Sequence, residues 1–169
     1  MDTTLISYRS VMSGTTSGNF ILPLTNRSPL PTPPTILLAE DNEAEVFFFS
    51  RALRRMGITN PVQTVASGDT ALAYLKGEGL FADRKKYPFP SLCLFDIKLP
   101  RMTGFEVLNA ARKELHLTQL PIVIWSTSDS VKDHTEARAL GASSFLVKPN
   151  ILDGMEPTLA ALFEQWLPK

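Results

Sequence analysis

Short apolar runs, each closed by a polar or glycine-bearing turn, alternate along this chain with longer stretches whose apolar residues recur at helical spacing. The runs are Thr35-Ile36-Leu37-Leu38-Ala39, Pro61-Val62-Gln63-Thr64-Val65-Ala66, Ser91-Leu92-Cys93-Leu94-Phe95, Pro121-Ile122-Val123-Ile124-Trp125 and Ser143-Ser144-Phe145-Leu146-Val147. Where polar alternation is missing, the pattern predicts strands covered on both faces, as in parallel sheets with helices on either side. Between the runs lie helical patterns. Val46, Phe49, Ala52, Leu53 and Met56 share one side of a helix that Asn42 or Asp41 caps and Gly57 ends, with Phe47 nearly opposite and Phe48 flanking. A short helix opens at Ser67-Gly68-Asp69 and carries Ala71, Leu72, Tyr74 and Leu75; another, capped near Thr103, carries Phe105, Val107, Leu108, Ala111 and Leu115. A fourth runs from about Val131 to Leu140 and closes at Gly141. The last begins near Asp153, with Met155, Leu159, Leu162, Phe163 and Trp166 on one face and Pro157 in its first turn.

Five strand-then-helix units predict an α/β fold. The expected form is a doubly wound, five-stranded parallel sheet with five helices, right-handed crossovers and the flavodoxin-like strand order 2-1-3-4-5. Residues 1–33, studded with Ser, Thr, Gly, Asn and Pro, are expected to form a disordered N-terminal leader, and residues 34–169 the folded domain. The polar segment from about Gly77 to Pro90 exceeds ordinary connections, and is read as tolerated surface. No output domain is expected after the last helix.

Charge and cysteine content narrow the classes. Seventeen basic and seventeen acidic side chains balance, so no electrostatic field argues for nucleic acid or an anionic membrane as partner. Cys93, the single cysteine, falls inside the central apolar run; it fits a small buried hydrophobe in a reducing compartment. No apolar stretch reaches membrane-spanning length and the N-terminus lacks the order of a secretory signal, so a cytoplasmic location is expected.

The candidate chemistry is positional. Glu40 and Asp41, Asp96, Ser126 and Lys148 directly follow the first, third, fourth and fifth strands, so one edge of the sheet collects them. Three carboxylates held together repel one another unless a cation sits among them, and an oxygen-rich site with room for water suits Mg²⁺. Lys148 adds a point charge and Ser126 a hydroxyl. The set meets the needs of a tetrahedral dianion attached at Asp96, one of whose oxygens would attack phosphorus in line.

Glu40-Asp41, Asp96 with Pro100 and Gly104, Ser126, Phe145 and Lys148-Pro149 together resemble the receiver domain of two-component response regulators, over about residues 35–167. The resemblance implies that Asp96 accepts a phosphoryl group from a sensor histidine kinase or a histidine phosphotransfer protein. It implies Mg²⁺ bound by Asp41 directly, by Glu40 through water, by Asp96 and by the backbone carbonyl of Lys98. Ser126 and Lys148 would hold phosphoryl oxygens, and Phe145 would serve with Ser126 as the switch, working by packing where the family often has Tyr. The protein would then be no enzyme beyond self-catalysed phosphotransfer and dephosphorylation. A phosphorylation-independent pseudo-receiver, acting as a binding or dimerisation module, is the alternative.

Lys98 stands close to the phosphoryl site and is expected to tune the lifetime of the acyl phosphate. The Glu-Asp-Asn opening, the long loop and the Val-Lys-Pro region are similar to single-domain receivers that accompany bacterial phytochrome-type kinases. Homodimerisation through the last helix and the face near Phe145 is a related expectation, with Phe47 and Trp166 as interface candidates. His116 and His134 match no motif position and are read as surface residues; Trp125 and Trp166 are read as packing residues.

Overall fold

The computed structural model describes residues 33–150 and 154–167. Apart from Pro33, the expected leader lies outside the described residues, and so does Asp153. The strands are β1 (Ile36–Ala39), β2 (Val62–Val65), β3 (Leu92–Phe95), β4 (Ile122–Ser126) and β5 (Ser144–Val147). All pair in parallel, in the order β2-β1-β3-β4-β5 that the alternation of runs and helices predicts. The helices are α1 (Glu43–Arg55), α2 (Gly68–Lys76), α3 (Gly104–Lys113), α4 (Val131–Ala139) and α5 (Glu156–Trp166).

Register places the site. Ala39 lies opposite both Val65 and Phe95, and Ser126 opposite Val147. The residues that leave these strands therefore emerge side by side: Asp96 N donates to Ala39 O at 3.1 Å and Lys148 N to Ser126 O at 2.8 Å.

The missing polar alternation has the predicted cause. Leu37, Ala39, Cys93, Phe95, Ile122 and Ile124 face a core completed by Tyr74, Leu75, Val107, Leu108 and Ala111 from α2 and α3. Ile36, Leu38, Leu92, Leu94, Val123 and Trp125 face the other core, against Phe49, Ala52 and Leu53 of α1 and Leu159, Leu162 and Phe163 of α5. Every residue of β1, β3 and β4 is buried, and each such large apolar side chain contributes about 1.5–3 kcal/mol. The sulfur of Cys93 is fully enclosed, and burial pushes its thiol well above the ordinary range, which removes it from redox or nucleophilic chemistry.

Helix ends follow local rules. Asn42, rather than Asp41, caps α1, its Oδ1 accepting from Ala44 N at 3.0 Å and Glu45 N at 3.4 Å. Thr103 and Glu106 form a reciprocal capping box on α3. Two boundaries depart from expectation. Gly154 has φ +78°, which no right-handed helix accommodates, so α5 starts at Glu156 and not near Asp153. Leu115 falls past the end of α3, yet still packs against the first core.

The segment after α2 is more than tolerated surface. It contains a 3-10 turn, Gly79–Ala82, and Arg84 reaches back to donate to Leu75 O at 2.8 Å and to Tyr74 O at 2.9 Å, the latter shared with Gly77 N, so that the side chain closes the end of α2. Tyr74 donates its hydroxyl to Pro88 O at 2.7 Å, and the rings of Tyr74, Phe81 and Tyr87 pack edge to face or tilted. No helix among the described residues is long and apolar enough to cross a membrane.

Candidate functional site

Parallel pairing brings the strand-end residues to one edge, as their sequence positions imply. Glu40, Asp41 and Asp96 each offer a carboxylate oxygen within 4.8 Å of the others. Glu40 and Asp96 are buried, at 4% and 9% exposure, whereas Asp41 faces solvent. Asp96 is held by its own loop, its Oδ1 accepting from Ile97 N at 2.8 Å, which leaves Oδ2 turned toward the other charges.

Lys148 lies at the centre. Its Nζ is 2.5 Å from Glu40 Oε2, 2.6 Å from Glu45 Oε2 and 3.4 Å from Asp96 Oδ2. Burial alone would disfavour the ammonium, but its contacts with Glu40 and Glu45 and the charge of Asp96 outweigh that and lift its pKa above the ordinary lysine value. Glu40 is displaced the same way: burial pushes its carboxyl up, and the Lys148 ammonium offsets only part of the cost. Buried carboxylates outnumber the ammonium that answers them, which is the electrostatic signature of a place for a divalent cation. The donor set therefore fits Mg²⁺.

Ser126 ends β4 fully buried, its Oγ accepting from Ser128 N at 3.3 Å. Lys98 is exposed on the loop after Asp96. That loop is tied down by Arg101, which takes a positive φ of 67° and pairs through Nε with Asp69 Oδ1 at 3.0 Å and through Nη2 with Ser67 Oγ at 2.9 Å. Phe145, on the outer strand, is half-buried and stacks on His134, ring centroids 3.9 Å apart and planes 31° from parallel. His134 stays at the surface as expected, its side chain 42% exposed, but it is also a partner of the aromatic; His116 is exposed. Phe47 is 62% exposed and touches Phe48 edge to face, with ring centroids 5.6 Å apart; Trp166 is half-buried against the α1–α5 core.

Sequence reasoning missed Glu45. It lies in the first turn of α1, three residues past the cap Asn42, where an acidic side chain is ordinary and carries no signal of its own. The Arg101 latch and the His134 stack carry no sequence signal of their own.

The chain matches the model of the response regulator receiver domain over residues 36–159. It is 32% identical over 135 residues to the probable methanogenesis regulatory protein FilR2 of Methanothrix harundinacea, covering 80% of this chain and 84% of that protein. The crystal structure of response regulator RPA3017, in red light signalling of R. palustris, resembles it with TM-score 0.74 and 33% identity, over 80% of this chain and 99% of that one. The phosphorylated cyanobacterial phytochrome response regulator RcpA resembles it with TM-score 0.72 and 30% identity, over 81% and 99% of the two chains.

Proposed function

We propose, from the premise that this chain belongs to the response regulator receiver domain family, that it is a phosphoacceptor whose Asp96 takes a phosphoryl group from a sensor histidine kinase or a histidine phosphotransfer protein. The observation that carries the reading is the convergence of Glu40, Asp41, Asp96 and Lys148 at one sheet edge, with Ser126 entering from the neighbouring strand.

In the proposed reaction an Asp96 carboxylate oxygen attacks the phosphorus of a phosphohistidine. The new O–P bond forms as the P–N bond breaks, and the imidazole nitrogen leaves with the electron pair. Glu40, Asp41 and Asp96, with the backbone carbonyl of Lys98, would hold Mg²⁺, which when bound supplies neutralisation of charge on the phosphoryl oxygens. Lys148 donates to one of those oxygens and Ser126 to another. Both are buried in the present arrangement, so their donors act where water competes little.

Output follows from movement of these same groups. Ser126 drawn toward the phosphoryl group vacates space that Phe145 fills, biasing an equilibrium between two packings of the face around α4 and β5. The consequence is altered contact with another protein, with Phe47 and Trp166 as candidate interface residues and a homodimer as one product. The reading carries no enzymatic activity beyond self-catalysed phosphotransfer and dephosphorylation, and a cytoplasmic site of action beside the kinase. Incubation with acetyl phosphate and Mg²⁺, followed by intact-mass measurement, tests it: the chain should gain one phosphoryl group, and Asp96→Asn should gain none. No gain in the wild type would leave a phosphorylation-independent binding module.

A further inference from the structure

Lys148 must reach a phosphoryl group on Asp96, yet its closest partners lie elsewhere. Its Nζ sits 2.5 Å from Glu40 Oε2 and 2.6 Å from Glu45 Oε2, but 3.4 Å from Asp96 Oδ2. Of the three carboxylates around the ammonium, Glu40 accepts a hydrogen bond from it, while Glu45 and Asp96 stand in ion-pair range. Glu40 belongs to the acidic set that accompanies the phosphoacceptor. Glu45 does not: it comes from the first turn of α1, and its other oxygen faces the Asn42 amide at 3.5 Å. The Glu45 side chain is one-fifth exposed, but its Oε2, the oxygen facing Lys148, is enclosed, as is almost all of the lysine side chain.

We propose that Glu45 is a positioning residue that competes with the phosphoryl group for Lys148, holding the ammonium on the α1 side of the pocket so that its release slows phosphoryl capture by Asp96. The proposal rests on the phosphoacceptor reading above. Its physical content is a difference between two states. Before transfer the contact with Glu45 stabilises Lys148 where it is; during transfer the same donor is needed at phosphorus, and the lost contact adds to the barrier. Removing the carboxylate removes that addition while leaving Glu40 to keep the ammonium paired. Glu45 thereby trades speed of activation for a charge cluster that is held together in the resting protein.

The test is the rate of acyl phosphate formation from acetyl phosphate at saturating Mg²⁺, read by quenched intact mass. Glu45→Gln should label about fivefold faster than the wild type, the scale of one partly exposed ion pair, with the same Mg²⁺ requirement. Glu45→Ala should shift in the same direction. In a Lys148→Ala background, Glu45→Gln should change the rate by less than about twofold, because the group it acts through is gone. In the metal-free protein, Glu45→Gln should also speed hydrogen exchange at the Lys148 ammonium, followed by its ¹⁵Nζ resonance. An unchanged or slower rate, an acceleration that survives loss of Lys148, an effect confined to the Mg²⁺ requirement, or an unaltered Nζ resonance would each overturn the proposal. A wild type that takes no phosphoryl group would instead overturn the phosphoacceptor reading beneath it.

Discussion

Gly104, the first residue of α3, is where fold and site press hardest on each other. Its N–H donates to Ile97 O at 3.1 Å, and a Cβ placed on it would stand 2.1 Å from the backbone oxygen of Asp96 and 3.0 Å from its carbonyl carbon. Ordinary van der Waals contact begins near 3.4 Å, and both offending atoms are backbone, so no side-chain rotation relieves the clash. Gly104→Ala must therefore push the start of α3 and the end of β3 apart by about 1 Å, an overpacking that costs about 1–3 kcal/mol. The alanine also restricts the unfolded chain, which returns about 0.4–1 kcal/mol. The net is a loss of about 1.3 kcal/mol at the middle of these ranges and about 2.6 at most, equivalent to about 0.7 M and at most about 1.3 M in the urea midpoint at an m-value near 2 kcal/mol/M. Because the displaced atom is the carbonyl of the phosphoacceptor itself, labelling by acetyl phosphate should slow by about tenfold or more, beyond what the stability loss explains. An unchanged or raised midpoint would refute the steric argument. A lowered midpoint with an unchanged labelling rate would refute the claim that this contact positions Asp96.

Other predictions follow from particular contacts. Thr103→Ala removes the cap of α3 and should cost about 1 kcal/mol in urea unfolding at neutral pH. Bonds from the Thr103 backbone and hydroxyl hold the Glu106 carboxyl below its ordinary value of 4.5, so this pair's contribution is complete above that pH and is lost as pH falls through the lower folded value; the gap between wild type and Thr103→Ala should narrow below pH 4.5. Arg84→Ala removes the donor to the Leu75 carbonyl and one of two donors to the Tyr74 carbonyl, which keeps Gly77 N, and should cost about 1–2 kcal/mol while speeding amide exchange across residues 77–90. Lys98→Asn removes an exposed ammonium from the loop after Asp96, and should shorten the lifetime of the acyl phosphate by about two- to fivefold in a chase experiment; an unaltered decay would show that this charge plays no part.

The sheet and its order were legible because β1, β3 and β4 are buried on both faces, which forbids polar alternation and leaves unmistakable apolar runs. The site was legible for a related reason: a parallel sheet sends every strand end to one edge, so Glu40, Asp41, Asp96, Ser126 and Lys148 converge by topology, without any help from side-chain detail. What escaped depends on tertiary contact. Glu45 looks like an ordinary acid in a helix's first turn, and only the position of Lys148, 103 residues away, gives it a role. His134 looks like a polar residue on α4 until β5 sets Phe145 beneath it. The segment after α2 reads as polar surface because its order comes from Arg84 and Tyr74 bonding to backbone oxygens, a pattern with no period along the chain. The late start of α5 turns on one glycine at positive φ, which sequence alone leaves undetermined.

The most direct measurement of the central claim is to locate the acyl phosphate chemically. Borohydride reduces an aspartyl phosphate to homoserine, so trapping after treatment with acetyl phosphate and Mg²⁺, followed by peptide mass analysis, identifies the residue that was phosphorylated. The account predicts homoserine at position 96 and nowhere else, dependent on both donor and metal. Homoserine at Asp41 or another carboxylate, or none at all in protein that remains folded, would contradict it.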